Sequence, residues 1–214
     1  MMRKILHIEG SPRGERSRSG MVAERLLAGL GEAETLSVFD PLPEFDGAAI
    51  EARYAIIHGE RADPDKVAAW EEIRGLVAHL LSFDTLVFSV PMWNFGIPYR
   101  LKHYIDLITQ PGLAFSVGAD GNVVGHAAGR TAVIVAAGAL DTTPGTPLAG
   151  LDHQAAYMQA WLGFIGVTDM HVIRVQPTYG SSEVIEAAMA RGYTEAEALA
   201  EALSREVLSR PARV

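Results

Sequence analysis

No cysteine occurs anywhere in the 214 residues. That removes disulfide frameworks, thiolate nucleophiles and thiolate metal sites, and it fits a protein of the reducing cytoplasm. Basic residues are scarce as well: 18 Lys and Arg stand against 26 Asp and Glu, a formal charge of -8. A nucleic-acid surface needs a clustered basic excess, so nucleic acid is not an expected partner. Long apolar runs are also missing. The opening "MMRKILHIEGSPRG" has only five mostly apolar residues before Glu9, too few for the core of a signal peptide, and no uninterrupted apolar stretch approaches a membrane span. No membrane partner is expected either. The seven histidines (His7, His58, His79, His103, His126, His153, His171) show no His-Glu-x-x-His spacing, which leaves no expected metal site.

What is present is apolar. Hydrophobic residues make up 49% of the chain and charged ones 21%, which excludes disorder and suits one globular domain over residues 1–214. "RKILHI" (Arg3 to Ile8) reads as a strand, followed by a loop and a helical run from Met21 to Leu30. "ETLSVF" is a second strand. After a loop-rich stretch, Val67, Trp70, Ile73, Val77 and Leu80 carry the spacing of a long helix, with Asp63 or Asp65 near its start as a cap. "DTLVFSV" and "GRTAVIVAAG" are continuous apolar strands of the kind buried on both faces. A helix from Leu151 to Gly163, a fifth strand in "DMHVIRV" and a final helix from Thr194 to Leu208 follow. Strands alternating with helices predict an α/β, flavodoxin-like fold: a five-stranded parallel sheet with helices on both faces.

In such a sheet the binding crevice lies beyond the carboxyl ends of the first and third strands, where the winding reverses. The two most unusual loops fall there. The loop Glu9 to Gly20 offers the hydroxyls of Ser11, Ser17 and Ser19 with Arg13, Arg16 and Arg18, and it opens a helix whose free N–H groups and dipole attract an anion. This suits one phosphate monoester, although the same composition also suits a solvated connection. It matches neither a dinucleotide fingerprint nor a nucleotide triphosphate loop. The other loop is "PMWNFGIP" (Pro91 to Pro98). Trp93, Asn94 and Phe95 stand at the mouth of the crevice, where they can edge a planar heterocycle or equally cover the sheet or meet a partner subunit. In the following helix Ile97, Leu101, Ile105 and Ile108 form an apolar stripe, with Lys102 and Asp106 paired on the other side. "YGSSE" (Tyr179 to Glu183) is a turn and helix cap rather than a hydrolase elbow, and adjacent Asp152 and His153 make no triad.

"PMWNFGIPYRLKHYIDLI" (Pro91 to Ile108) resembles the Pro-Met-Tyr-Asn-Phe signature and following helix of the FMN-dependent NADH:quinone and azo-compound reductases, within the flavodoxin-like superfamily. "GSPRGERSRS", "PGLAFSV" and "WLGFIGVTDMHVI" resemble further segments of that family. The resemblance implies that Ser11, Ser17, Arg18 and Ser19 surround the FMN phosphate. It implies that Pro91, Met92, Trp93, Asn94 and Phe95 hold the isoalloxazine ring, with Trp93 where the family has tyrosine. The family's third flavin loop, Ser-Arg-Gly-Gly, is here "AAGAL". Ala136, Ala137 and Gly138 can offer backbone N–H groups, but the serine and arginine side chains are absent. Phe115 and Trp161 match positions that help wall the substrate space.

The activity so implied is a ping-pong oxidoreductase. NADH or NADPH gives a hydride to FMN, and the reduced flavin passes two electrons to a small-molecule quinone or azo compound, in a site shared across a homodimer. No side chain is assigned as a catalytic acid or base. Two other classes fit parts of the pattern: a flavodoxin-type FMN electron carrier, and a flavin-free flavodoxin-fold protein acting by protein contact.

Overall fold

Alternation along each strand divides the apolar residues between two faces of one sheet. In β1 (Ile5–Glu9), Leu6 and Ile8 face one side and Ile5 the other. In β3 (Thr85–Pro91), Leu86, Phe88 and Val90 oppose Val87, and in β6 (Thr131–Ala137), Ala132, Ile134 and Ala136 oppose Val133, Val135 and Ala137. Both faces must therefore be covered. The computed structural model describes residues 3–59 and 64–209. It shows five parallel strands in the order β2-β1-β3-β6-β7, with β2 at Ala33–Ser37 and β7 at Asp169–Val175. The chain adds β2 on one side of β1, then crosses to add β3 on the other. That reversal is the flavodoxin-like winding expected from the sequence.

One face is covered by α3 (Pro64–Leu81), α4 (Tyr99–Ile108) and α5 (His153–Phe164), which bring Trp70, Ile73, Leu80, Leu101, Ile105, Met158 and Leu162 into the larger core. The other face is covered by α1 (Arg18–Leu30) and α6 (Ser182–Ser209), through Val22, Leu26, Met189, Ala196 and Leu203. Each fully buried Leu, Ile or Phe contributes about 2 kcal/mol by leaving water. The stripe expected on α4 is present, with Leu101, Ile105 and Ile108 buried and Ile97 partly so, and Lys102 Nζ lies 2.6 Å from Asp106 Oδ1.

Several boundaries differ from the sequence reading. α1 starts at Arg18 rather than Met21 because Ser17 caps it, its Oγ accepting from the Gly20 N–H at 3.2 Å. Within the stretch read as loop lies α2 (Gly47–His58), which turns Ala49 and Ala52 inward and leaves Ile50 and Tyr54 exposed. A hairpin of β4 (Phe115–Val117) and β5 (Val123–Gly125) forms a second, antiparallel sheet. α6 begins at Ser182, one residue after the capping Ser181, and not at Thr194. Asp63, one of the two acids expected to cap α3, lies outside the described residues.

Candidate functional site

Strands β1, β3 and β6 are neighbours, and all three deliver loops to the same carboxyl edge of the sheet. The chain leaving β1 passes close over β3. Gly10 N–H donates to the Ser89 carbonyl at 2.9 Å, and a Cβ on Gly10 would stand 2.9 Å from that same oxygen, so only glycine allows this approach. A short turn at Gly14–Arg16 follows, with Gly14 at φ 52°, and Ser17 opens α1. Ser11, Ser17 and Ser19 are all buried, and Ser17 Oγ lies 3.2 Å from Ser19 Oγ. Three hydroxyls thus crowd the N-terminus of α1, whose first N–H groups have no intrahelical acceptor and whose dipole is positive there. Donors and a positive dipole end gathered in this way are suited to an anion.

The loop after β3 is a tight hairpin of its own. Trp93 and Gly96 exchange backbone hydrogen bonds, 3.0 Å each way, around Asn94 at φ 48° and Phe95 at φ 69°. Two left-handed residues between such a pair form a type I′ turn, which Asn tolerates and Phe does not favour. The cost is of order 1–2 kcal/mol at Phe95. The turn is held at its base by Met92 N–H on the Ala137 carbonyl at 2.6 Å, and at its tip by His153 N–H on the Phe95 carbonyl at 3.1 Å. As a result Trp93 and Phe95 present their rings outward, 38% and 41% exposed. Phe39 and Tyr99 gather beside Trp93, their ring centroids 6.1 Å and 6.2 Å from it. Sequence reasoning had no signal for these two, because they come from separate elements.

The third segment, Ala136 to Gly138, is braced by two glutamines that the sequence reading did not single out. Gln154, fully buried on α5, donates through Nε2 to the Val90 carbonyl at 2.8 Å, tying α5 to the end of β3. Gln176, 3% exposed, accepts through Oε1 from the Thr142 N–H at 3.0 Å and its hydroxyl at 3.1 Å. Its Nε2 then points toward Gly138, where an added Cβ would meet it at 2.9 Å. Isolated glutamines in a sequence announce no such role.

Two titratable groups mark the floor and the edge. His7, 3% exposed, sits 3.0 Å from Ser89 Oγ through Nε2, and burial lowers its pKa from 6.5 to about 4. Glu9, at the end of β1, has its carboxyl pushed up by burial first and then by the charges of Glu24 and Asp40. A groove of about 700 Å³ runs from the outer side of the Trp93–Phe95 turn between α4 and α5, lined by Trp93, Tyr99, Lys102, His153 and Tyr157 among others. Phe115 and Trp161 do not line it. Trp161 is in the core, its Nε1–H donating to Thr109 Oγ1 at 3.0 Å and its ring edge-on to Phe88, while Phe115 packs on Phe164 at 4.7 Å. Asp152 caps α5 through Ala155 N–H at 2.9 Å and pairs with Arg174 at 3.0 Å, which occupies its carboxylate structurally. Among the described residues no group of His, Cys, Asp and Glu is gathered for a metal, and no helix is long and apolar enough to cross a membrane.

Comparison with known proteins bears directly on this arrangement. A protein-family model described as flavodoxin-like fold matches residues 3–200. The FMN-dependent NADH:quinone oxidoreductase of Desulfotalea psychrophila is 40% identical over 209 residues, covering 94% of this chain and 98% of that protein. FMN-dependent NADH:quinone oxidoreductase 2 of Pseudomonas syringae pv. tomato is 37% identical over 206 residues, covering 93% and 98%. Among solved structures, an FMN-dependent NADH-azoreductase from Bacillus anthracis in complex with FMN superposes with a TM-score of 0.83 at 24% identity, covering 94% of this chain and 99% of that one.

Proposed function

Because the chain belongs to the flavodoxin-like family of FMN-dependent NADH:quinone oxidoreductases, we propose that it oxidises NADH or NADPH and reduces quinones and azo compounds through a bound FMN. What supports this reading is the convergence of three loops, from β1, β3 and β6, at one edge of the sheet. The residues fit the group. Buried hydroxyls of Ser11, Ser17 and Ser19 at a helix N-terminus, with Arg18 beside them, suit a phosphate monoester. Pro91, Met92, Trp93, Asn94 and Phe95, with Ala136, Ala137 and Gly138 on the neighbouring strand, suit a flat ring system at the carboxyl edge of the sheet, beside the crevice where β1 and β3 diverge.

Bound FMN would supply the two-electron chemistry between the pyridine nucleotide and the acceptor, in a ping-pong cycle. The chain's own part is to bind, orient and exclude. The Ser17 and Ser19 hydroxyls would donate to the phosphate oxygens while α1 contributes its dipole. The Asn94–Phe95 turn fixes where the Trp93 indole stands; the expected backbone donors of Ala136–Gly138 are instead engaged in the sheet, with Gly138 N–H on the Val175 carbonyl at 3.2 Å, so this segment would offer the ring a small-residue surface rather than replacements for the missing serine and arginine side chains. No proton-transfer group is required of the chain. The two carboxylate and imidazole candidates nearest the crevice, Glu9 and His7, are respectively raised and lowered in pKa by burial, and neither is given a role in the reaction.

We take the whole chain as one such domain, working in the cytoplasm, where pyridine nucleotides are available. We also take it as a homodimer, with a second copy covering the aromatic groove of Trp93, Tyr99 and Tyr157 and completing the substrate space; Phe115 and Trp161 stand away from this groove, Trp161 in the core and Phe115 on Phe164. The deciding experiment is an absorption spectrum after FMN incubation and desalting, repeated without air on adding NADH or NADPH and then a quinone. A flavin spectrum that bleaches and then returns is the expected result. Retained flavin that no pyridine nucleotide reduces points instead to an electron carrier, and a colourless protein to a fold that no longer binds flavin.

A further inference from the structure

We propose that Arg13 and Arg16, with Arg18 standing between them and the serine cradle and shared by both, form a second anion subsite that takes the phosphate-bearing adenylate portion of a dinucleotide. The three line a cavity of about 370 Å³ whose other walls are Met21, Ile185 and Met189. That volume lies at the small end of the range for ligand sites.

The pairing of charges singles this place out. Elsewhere the chain spends its arginines. Arg25 pairs with Glu197, Arg174 with Asp152, Arg100 binds the carbonyls of Val38 and Asp40, and Arg191 binds that of Gln176. Among the described residues none of the guanidinium groups of Arg13, Arg16 and Arg18 has an acidic partner, and Arg18 Nη1 is buried with no hydrogen-bond partner at all. In a chain of net charge -8, three unpaired cations around one cavity are a local reversal of sign. α1 and α6 both start at the carboxyl edge of the sheet, so their positive dipole ends add to the same field. Glu183, in the first turn of α6, is engaged with Ser181 Oγ at 3.4 Å and is not among the lining residues.

The shape of the cavity narrows the ligand class. Its floor is apolar: Ile185 and Met189 lie one turn apart on α6, and Met21 faces them from α1. Thioether and aliphatic carbon suit the flat face of a purine, and planar guanidinium groups bind phosphate oxygens in pairs. A neutral quinone has carbonyl acceptors but no negative charge to match three cations. A nucleic-acid strand would need a basic track far longer than this one cavity. An adenylate group offers both a purine and the phosphates, and it occurs in two molecules relevant to the proposed reaction: the pyridine-nucleotide donor, and a flavin extended as FAD. The proposal rests on the oxidoreductase reading for the identity of the dinucleotide, but adenylate binding itself is measurable without turnover.

The test is calorimetric titration of adenosine 2′,5′-bisphosphate into the full chain, with and without FMN, for the native protein and for Arg13→Gln/Arg16→Gln. Both arginines are exposed, so the double variant keeps its core. The expected result is a Kd for the probe raised about tenfold or more, the loss of one or two charge-assisted hydrogen bonds, with FMN affinity changed less than twofold. A parallel rise in KM for NADPH or NADH identifies the donor as the source. Selective loss of FAD binding identifies the extended flavin. The proposal is overturned if the probe does not bind the native protein, binds the variant equally well, or if FMN affinity falls by the same factor as that of the probe. A chain that binds the probe but never retains FMN would instead count against the oxidoreductase reading alone.

Discussion

The backbone N–H of His153, the first residue of α5, donates to the carbonyl of Phe95 at 3.1 Å, so a helix on the far side of the sequence pins the tip of the Trp93–Gly96 turn. That contact offsets part of the strain of two consecutive left-handed residues, Asn94 and Phe95. The turn should therefore respond to backbone preference more than to side-chain chemistry. Asn94→Val, with a branched Cβ at φ 48°, is expected to destabilise the fold by about 1–2 kcal/mol and to weaken FMN binding, whereas Asn94→Gly stays within a few tenths of native stability. Urea unfolding and FMN titration of both variants check this. Equal behaviour of the two would show that the turn geometry is unimportant.

Ser17 separates two roles that lie in one side chain. Its Oγ caps α1 through Gly20 N–H, and it faces Ser19 in the proposed phosphate cradle. Asp is as good a helix cap as Ser, so Ser17→Asp should leave thermal stability nearly unchanged. The added negative charge should nevertheless repel a phosphate, lowering FMN retention at least tenfold, about 1.4 kcal/mol or more. Flavin content after desalting, measured beside a melting curve, distinguishes the roles. A variant with full flavin content would remove Ser17 from the site.

The sheet was legible in the sequence because β3 and β6 are continuous apolar runs that only burial on two faces explains. The features that escaped were hidden by specific physical circumstances. Among its described side chains, α2 turns Ala49 and Ala52 inward and leaves Ile50 and Tyr54 exposed, a pattern that gives no apolar stripe to read. The first half of α6 contains Gly192, which reads as a helix breaker. It is tolerated because a Cβ there would press within 3.2 Å of Val175 and 3.3 Å of Val22, so glycine lets the helix sit close to the sheet. β4 and β5 have three residues each, too few for alternation to register. In the candidate site, the serines and the Trp93–Phe95 run were readable from local composition. Phe39, Gln154 and Gln176 were not, since each acts through contacts made across the fold, and Tyr99, though within the same stretch, reaches Trp93 only because the turn folds back.

Gly138 and Gln176 should behave as one unit. Gly138→Ala places a Cβ 2.9 Å from Gln176 Nε2, and that amide cannot swing aside without giving up Thr142. The expected cost is about 1–3 kcal/mol. Gln176→Ala alone leaves the buried Thr142 N–H without its acceptor, for a similar loss. Combined, the two changes should cost clearly less than their sum, because the second removes the group with which the first collides. Urea unfolding of the four proteins gives the coupling; strict additivity would mean that the loop moves freely.

Gly125 carries the attachment of the β4–β5 hairpin. A Cβ at this position would lie 2.0 Å from the Ile165 carbonyl carbon and 2.2 Å from Gly166 N, both backbone atoms that cannot yield as a side chain can. Gly125→Ala is expected to cost about 3 kcal/mol and to release the hairpin from the end of α5. Faster hydrogen exchange over Val123–Gly125, with β1 and β3 still protected, is the outcome to look for. A native exchange pattern would show that the hairpin can shift without penalty.

His7 should give the fold an acid sensitivity of its own. Burial holds its folded-state pKa near 4, against 6.5 for an imidazole in water, and its ring nitrogen lies beside Ser89 Oγ within the core. A depressed pKa means that the folded state binds the proton less readily than the unfolded one. The stability associated with neutral His7 is therefore fully present above pH 6.5 and is lost progressively as the pH falls through 4. The gap between the two values corresponds to about 3 kcal/mol at its full extent. His7→Gln, which keeps a hydrogen-bonding side chain of similar reach, should flatten the fall in unfolding free energy between pH 6.5 and 4 while costing some stability at pH 7. Urea titrations at intervals across that window measure the slope directly. If the native protein and the variant lose stability in parallel, the acid sensitivity belongs to other groups and His7 is only a packing residue.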